Sequence, residues 1–583
     1  MRLSLISSRI FLVVFLIALL PHFFVCQNES LVSSVGQVDW NRYYTTSETH
    51  KILNEFTKQY PHLTKLYSIG QSYLGTDLMV MEISNMENKP AEEKPGFYID
   101  GGIHSGELTG SAVALYTIGY LLDNFDKDRR ITELLDSRVF YIRPKFNPDG
   151  ADIALLEDQS LRSTIHPVDN DNDGIPDDDP AEDLDGDGWI TQMRFEDSGG
   201  NMIKNPDDPR IMIRRSENDT GPFYRVIGEG IDNDGDGRIN EDGIGGIDMN
   251  RNFPRNWEPE YLQSGAGDFP LSEPETYATV KFINAHPNIT GIIHGHTSGG
   301  FVYRLPSASD PTKFNQDDIS LIVKMGEKYT ESTGRDVRPS ATDPVRHRYG
   351  TLISWAYWDR GIVGWVPEYC PRDFWWEDYN NDGQINETEK HRFNDEELGG
   401  KYFSDWSPFD HPQFGNVEIG GWHTKFLGQN PPAEFLEQEC KAQIPWFLYL
   451  AEQSPILTMT KPKVTELGSN QYKIEVTITN SGYLSTNLTE RGYTGSERGG
   501  RIQNQIVKPP EAKIDITNGQ VSGGGQKVIV GHLAGSNPYT VSVTEQSRTI
   551  SWTVQKGEGA STFKVTVFSD KGGTIRSEVT ELF

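Results

Sequence analysis

The run Phe97-Tyr98-Ile99-Asp100-Gly101-Gly102-Ile103-His104-Ser105-Gly106-Glu107 carries a strand-like segment into a glycine-bearing turn, and a helix-like segment follows from Leu108. A histidine and a carboxylate three positions apart, in a turn made pliable by Gly102 and Gly106, can aim an imidazole nitrogen and a carboxylate oxygen at one cation. Zinc accepts such a pair. Two protein ligands are too few for a stable catalytic site, so a third donor must come from elsewhere, with one coordination position left open.

Outward from this turn, residues 40–454 alternate strand-like and helix-like segments, the pattern of an α/β domain whose mixed twisted sheet is flanked by helices. Strands are expected at 78–83, 97–100, 139–142 and 289–293. The clearest helix runs from 108 to 125, where Ala112, Leu115, Ile118, Leu122 and Phe125 recur at helical spacing. Beyond Pro455 the character changes. Short alternating runs at 472–478, 528–530 and 563–568 are divided by Gly, Asn and Ser turns, so 456–583 reads as a β-sandwich accessory domain of unknown partner.

The chain has 583 residues, enough for more than one core, and its 84 acidic against 54 basic side chains give a formal net charge of -30. That balance disfavours nucleic acid and anionic membrane surfaces as partners. Arg2, Arg9, the apolar run 10–20 and Pro21 form a signal-peptide pattern over residues 1–26. No other segment has the length of a transmembrane span, so the mature protein is expected to be secreted or to reside in the cell envelope or periplasm. Lipoprotein anchoring at Cys26 is the lesser alternative, and Cys370 and Cys440 are candidates for a disulfide.

Three further motifs follow in order. Asp248-Met249-Asn250-Arg251-Asn252-Phe253 sets a side-chain amide beside a guanidinium, a pair suited to forking a carboxylate. His294-Gly295-His296-Thr297-Ser298 ends a strand, and Val366-Pro367-Glu368-Tyr369 places a carboxylate in another. Together with His104-x-x-Glu107, this set resembles the zinc metallocarboxypeptidase family over roughly residues 40 to 455.

The resemblance implies that His104, Glu107 and His296 hold zinc and that Glu368 acts as general base. It implies that Asn250 and Arg251 grip a free C-terminal carboxylate, and that Arg162 polarises the scissile carbonyl. His294 rivals His296, because residues two apart on a strand face the same side. Tyr349 stands near the place of a tyrosine that covers the substrate carboxylate. Ile353 falls near the floor of the side-chain pocket, hinting at apolar C-terminal residues, whereas Arg346, His347 and Arg348 point to acidic ones.

Acidic insertions depart from the family pattern. Asp378, Asn380, Asp382, Gln384 and Glu389, with Gly383, fit a calcium loop at each required position. The loops at 169–174, 183–188 and 232–237 repeat the first half of that pattern without the closing Glu, although Asp179 or Asp242 lies near enough to close two of them. Clustered aspartates repel, so the insertion between Arg162 and Asn250 is expected to be loose unless calcium folds it down. The expected function is a secreted zinc carboxypeptidase acting on peptides or proteins with a free C-terminus. The alternatives are a zinc amidase or peptidase acting on cell-wall peptides and a calcium-ordered binding protein without catalysis.

Overall fold

A computed structural model describes residues 35–307, 314–340, 348–371, 375–494, 496–498, 501–503 and 505–582. The signal-peptide segment, Cys26, Arg346 and His347 lie outside the described residues.

The central sheet has eight strands: β1 (Thr64–Gln71), β2 (Asp77–Ile83), β3 (Gly96–Gly101), β4 (Val139–Arg143), β5 (Ile289–Thr297), β6 (Phe301–Arg304), β7 (Val337–Pro339) and β8 (Val363–Tyr369). Their order is β1-β2-β4-β3-β5-β8-β6-β7. The middle four, β4-β3-β5-β8, are parallel, while β1, β2 and β6 pair antiparallel with their inner neighbours. β3, β4 and β5 are buried along their whole length, which is why apolar residues stand at consecutive positions in them, as in Phe97-Tyr98-Ile99 and Val139-Phe140-Tyr141-Ile142, rather than alternating with polar ones. The sheet is therefore mixed, as expected.

The helix Leu108–Asn124 starts directly after the His104 turn and packs on β3 and β5 and against the helix Leu436–Glu452. Its close seat depends on two glycines: a Cβ on Gly101 would lie 2.1 Å from the Gly110 carbonyl carbon. Any side chain there would push the helix away from the strand end that launches the turn.

The acidic insertion is not a loose loop. It supplies Gln192–Glu196, Met202–Lys204, Met212–Arg214 and Tyr224–Gly228 to a six-stranded sheet completed by Phe403–His411 and Gly415–Trp422. Met193, Val417 and Ile419 form its small apolar core, with Phe195, Ile227 and Phe409 packed against it. Burial of these side chains gives the insertion stability that charge repulsion alone does not predict. The strands at 403–411 and 415–422 were equally unmarked in the sequence reading.

Beyond residue 456, Gln471–Asn480 and Ser547–Lys556 lead one sheet, and Glu511–Thr517 and Ser561–Ser569 lead a second. Ile474, Val476, Trp552 and Val554 from the first meet Ala512, Ile514, Val565 and Val567 from the second in one core. This is the geometry of a sandwich. Lys571, buried, donates from Nζ to the Ile289 carbonyl at 2.6 Å, so this region touches the root of β5.

Candidate metal centre and active site

The site lies at the carboxyl ends of β3, β5 and β8, where parallel strands release their chains into turns. Gly102 adopts a φ of 75°, a left-handed conformation that favours glycine, and it turns the chain after β3. Ser105 N–H donates to the Arg162 carbonyl at 3.2 Å, and Gly106 N–H to the Leu161 carbonyl at 2.7 Å. The metal turn is thus stitched to the start of the insertion. That stitching is what brings Arg162 to the site.

His104 Nδ1 lies 2.7 Å from Glu107 Oε1, His296 Nδ1 lies 2.9 Å from Glu107 Oε2, and the two Nδ1 atoms are 3.1 Å apart. All three residues are buried. Donors held about 2.0–2.1 Å from one tetrahedral ion sit roughly 3.3 Å from each other, so the trio is close to that spacing. Two imidazoles and a carboxylate are also the donor chemistry that zinc accepts. Burial pushes His296 down to about 3 against the opposing pull of Glu107, which leaves a neutral ring with a lone pair to give. Glu107 lies below the usual carboxylate range, because its two imidazole neighbours outweigh the cost of burial.

The outer face of His104 is held by Asp248, whose Oδ1 is 3.0 Å from Nε2. Asp248 Oδ2 accepts from Arg162 Nε at 3.0 Å, and its Oδ1 from the Asn250 N–H at 2.8 Å. A carboxylate on Nε2 fixes the tautomer that frees Nδ1 for a cation. In the sequence Asp248 stands only as a flank of the Asn250-Arg251 pair. Its signal was the spacing, two residues before Asn250.

His294 takes another direction. Its Nδ1 meets Asp100 Oδ1 at 2.6 Å, and it is buried outside the trio. His296 rather than His294 therefore faces His104 and Glu107.

Glu368 is partly buried in β8 and lines the same cavity as the trio. Burial and the nearby Glu107 push it up to about 8, while His104, Arg162 and Arg348 act in the opposite sense. Arg162 also approaches Glu107, with Nη1 3.4 Å from Oε1. Asn250 Nδ2 is 3.3 Å from His296 Nε2, and Asn250 Oδ1 accepts the Leu352 N–H. Arg251 donates to the Asn250 carbonyl at 2.8 Å and borders the cavity, as do Arg348 and Ile353.

Tyr349 is tied through its backbone to the Gln263 side chain at 2.9 and 3.3 Å and is not among the lining residues. The aromatic that does line the cavity beside Arg348 is Tyr303, with the guanidinium 4.9 Å from its ring centre. The cavity encloses about 1700 Å³, larger than the few hundred to about 1000 Å³ usual for a small ligand and wide enough for a chain end.

One expectation from the sequence is corrected by the structure. Cys370 and Cys440 are both buried free thiols, not a disulfide. In the loop of Asp378, Asn380, Asp382, Gln384 and Glu389, the Glu389 oxygens accept from Asn380 N–H at 3.2 Å and Asn386 N–H at 3.0 Å, and Glu389 closes the capping box of the helix Glu387–Glu397. Asp378, Asp382 and Glu389 do not gather as a metal-holding trio.

Among the described residues no helix is long and apolar enough to cross a membrane. The zinc carboxypeptidase family model matches residues 49–390, and a domain of unknown function matches 456–580. Carboxypeptidase D of Anas platyrhynchos is 36% identical over 121 residues, 21% of this chain and 9% of the relative. Carboxypeptidase M of Mus musculus is 32% identical over 120 residues, 21% of this chain and 27% of the relative. The chain thus spans well under a third of the length of these relatives. Bovine thrombin-activatable fibrinolysis inhibitor in complex with tick carboxypeptidase inhibitor covers 71% of this chain and 97% of its own at 17% identity and a TM-score of 0.41. Carboxypeptidase A from Helicoverpa armigera covers 72% and 76% at 16% identity and a TM-score of 0.43. The assignment rests on the family model, which spans more than half of the sequence and takes in β1 to β8 with His104, Glu107, His296 and Glu368: the chain belongs to the zinc carboxypeptidase family.

Proposed function

We propose that this protein is a secreted zinc carboxypeptidase that hydrolyses the last peptide bond of peptides or proteins with a free C-terminus. The observation that carries the reading is the convergence of His104, Glu107 and His296 in one cavity with Glu368, Arg162 and Arg251. Zinc on the trio supplies a Lewis acid and raises the acidity of water. Glu368 takes a proton from the attacking water and returns it to the leaving amine, which suits a carboxylate whose proton affinity is raised by burial. Arg162, steered by Asp248, donates to the oxygen on which negative charge develops.

Asn250 and Arg251 receive the substrate carboxylate. The guanidinium is pre-oriented by its bond to the Asn250 carbonyl, so less freedom is lost when the substrate carboxylate docks. Export rests on Arg2, Arg9 and the apolar run after them. Calcium in the Asp-rich insertion belongs to the same reading.

The test is hydrolysis of blocked dipeptides with and without a free C-terminal carboxylate, paired with metal analysis. Cleavage confined to the free acids, with one zinc per chain, is expected. Equal cleavage of the amides would replace the reading with a broader amidase, and zinc binding without cleavage would replace it with a binding protein.

A further inference from the structure

The loops 169–174 and 232–242 are far apart in sequence, yet the structure lays them side by side. One carboxylate oxygen from each of Asp169, Asp171 and Asp242 lies within 4.8 Å of the others, and the same holds for Asp171, Asp234, Asp236 and Glu241. Asp171 belongs to both groups.

Acidic loops gather on many surfaces, but this cluster has a second feature. Asp242 is 0% exposed, its Oδ1 accepts the Asn170 N–H at 3.0 Å, and its Oδ2 has no hydrogen-bond partner. Both buried Oε atoms of Glu241 lack a partner as well. A buried carboxylate oxygen with neither donor nor cation is costly. The neighbouring Asp179 shows the contrast: it is equally buried, and its oxygens accept from Asn233 N–H at 3.1 Å and Asn240 N–H at 2.9 Å. The third acidic group, Asp183, Asp185 and Glu229, is likewise satisfied, since Glu229 takes the Leu184 and Thr191 N–H groups, each at 2.7 Å.

We propose that Asp169, Asp171 and Asp242, with Asp234, Asp236 and Glu241, form a paired divalent-cation site suited to calcium, in which Asp171 bridges two ions. Six carboxylates exceed what one divalent ion balances, and oxygen-only donors suit calcium over zinc. The site clamps two loops that the chain joins only through some sixty residues. It stands behind the cavity wall, because Asn170 bonds the Gly245 carbonyl at 2.9 Å, and Asn170, Asn240, Gly243 and Gly245 all face the cavity. The inference deepens the calcium part of the proposed function and is separable from its peptidase part, because calcium stoichiometry and peptide hydrolysis are read independently.

The experiment is equilibrium dialysis of the full chain, holding its zinc, at a free calcium that just saturates the native protein. Asp171→Asn is expected to release two calcium equivalents, and Asp242→Asn and Glu241→Gln one each, with zinc unchanged. Retention of every equivalent by Asp171→Asn overturns the proposal, and loss of only one overturns the bridged pair. Should Asp171→Asn fail to fold, as loss of zinc would reveal, Glu241→Gln and the exposed Asp234→Asn decide: no loss from either overturns it.

Discussion

Glu368 and His296 are register partners on the adjacent parallel strands β8 and β5. Paired positions on neighbouring strands present their side chains to one face, so the acid and the imidazole share a cavity wall without either lying on a mobile loop.

Glu368→Gln keeps the shape of the side chain and removes the carboxylate proposed as base. A fall in kcat of about 10²–10⁴ is expected, with zinc content unchanged. In the native enzyme the carboxylate must be ionised to accept a proton, so kcat/KM falls as pH drops through its pKa. Burial and Glu107 raise that pKa to about 8 in the bare site, and a divalent ion on the trio draws it down, placing the acid limb below pH 8. Turnover of the variant within tenfold of the native value removes Glu368 from the role of base.

Asp248 positions His104. Asp248→Asn is expected to weaken zinc about 10–100-fold in a chelator competition, because the imidazole loses the charged partner on Nε2. Unaltered zinc affinity would show that the turn alone orients the ring.

Arg251→Ala removes the charge proposed to meet a substrate carboxylate. A charge-assisted hydrogen bond contributes about 1.5–3 kcal/mol, so kcat/KM on a free-acid substrate should fall roughly 10- to 150-fold. Hydrolysis of the matching amide should hardly change. An equal loss on both would mean that Arg251 shapes the cavity rather than reads the carboxylate.

Lys571 connects the C-terminal region to β5, and burial lowers it from 10.5 to about 7. Between those two values the unfolded chain holds a proton that the folded chain has released, so stability rises with pH across that window. Thermal unfolding of the native protein compared with Lys571→Met should therefore show the native protein gaining from pH 7 towards 10, a gain absent in the variant. Parallel curves would place the titration elsewhere.

Much of the sheet was legible in the sequence. The runs 97–99 and 139–142 are apolar on both faces because their strands are covered on both faces, and that pattern survives in one dimension. The insertion was not legible. Its strands are short, Met202–Lys204 and Met212–Arg214 having only three residues each, and the insertion joins the rest of its sheet where Gln192–Glu196 pairs with Gly415–Trp422, some two hundred residues away. The calcium-loop pattern at 378–389 names oxygens, whereas the N–H groups they accept and the place of Glu389 in a helix cap are set by the folded loop.

The sequence by itself determined which donors exist and how neighbours are spaced: His104 with Glu107 across one turn, Asn250 beside Arg251, Glu368 within an apolar strand. Spacing of that kind is a property of the local backbone. Only the tertiary structure decided that His296 rather than His294 meets the His104 turn, that Arg162 is carried to Asp248, and that Asp171 faces both Asp242 and Glu241. Those relations depend on strand register and on loops meeting across the fold, and no local pattern records which distant surface a side chain will reach.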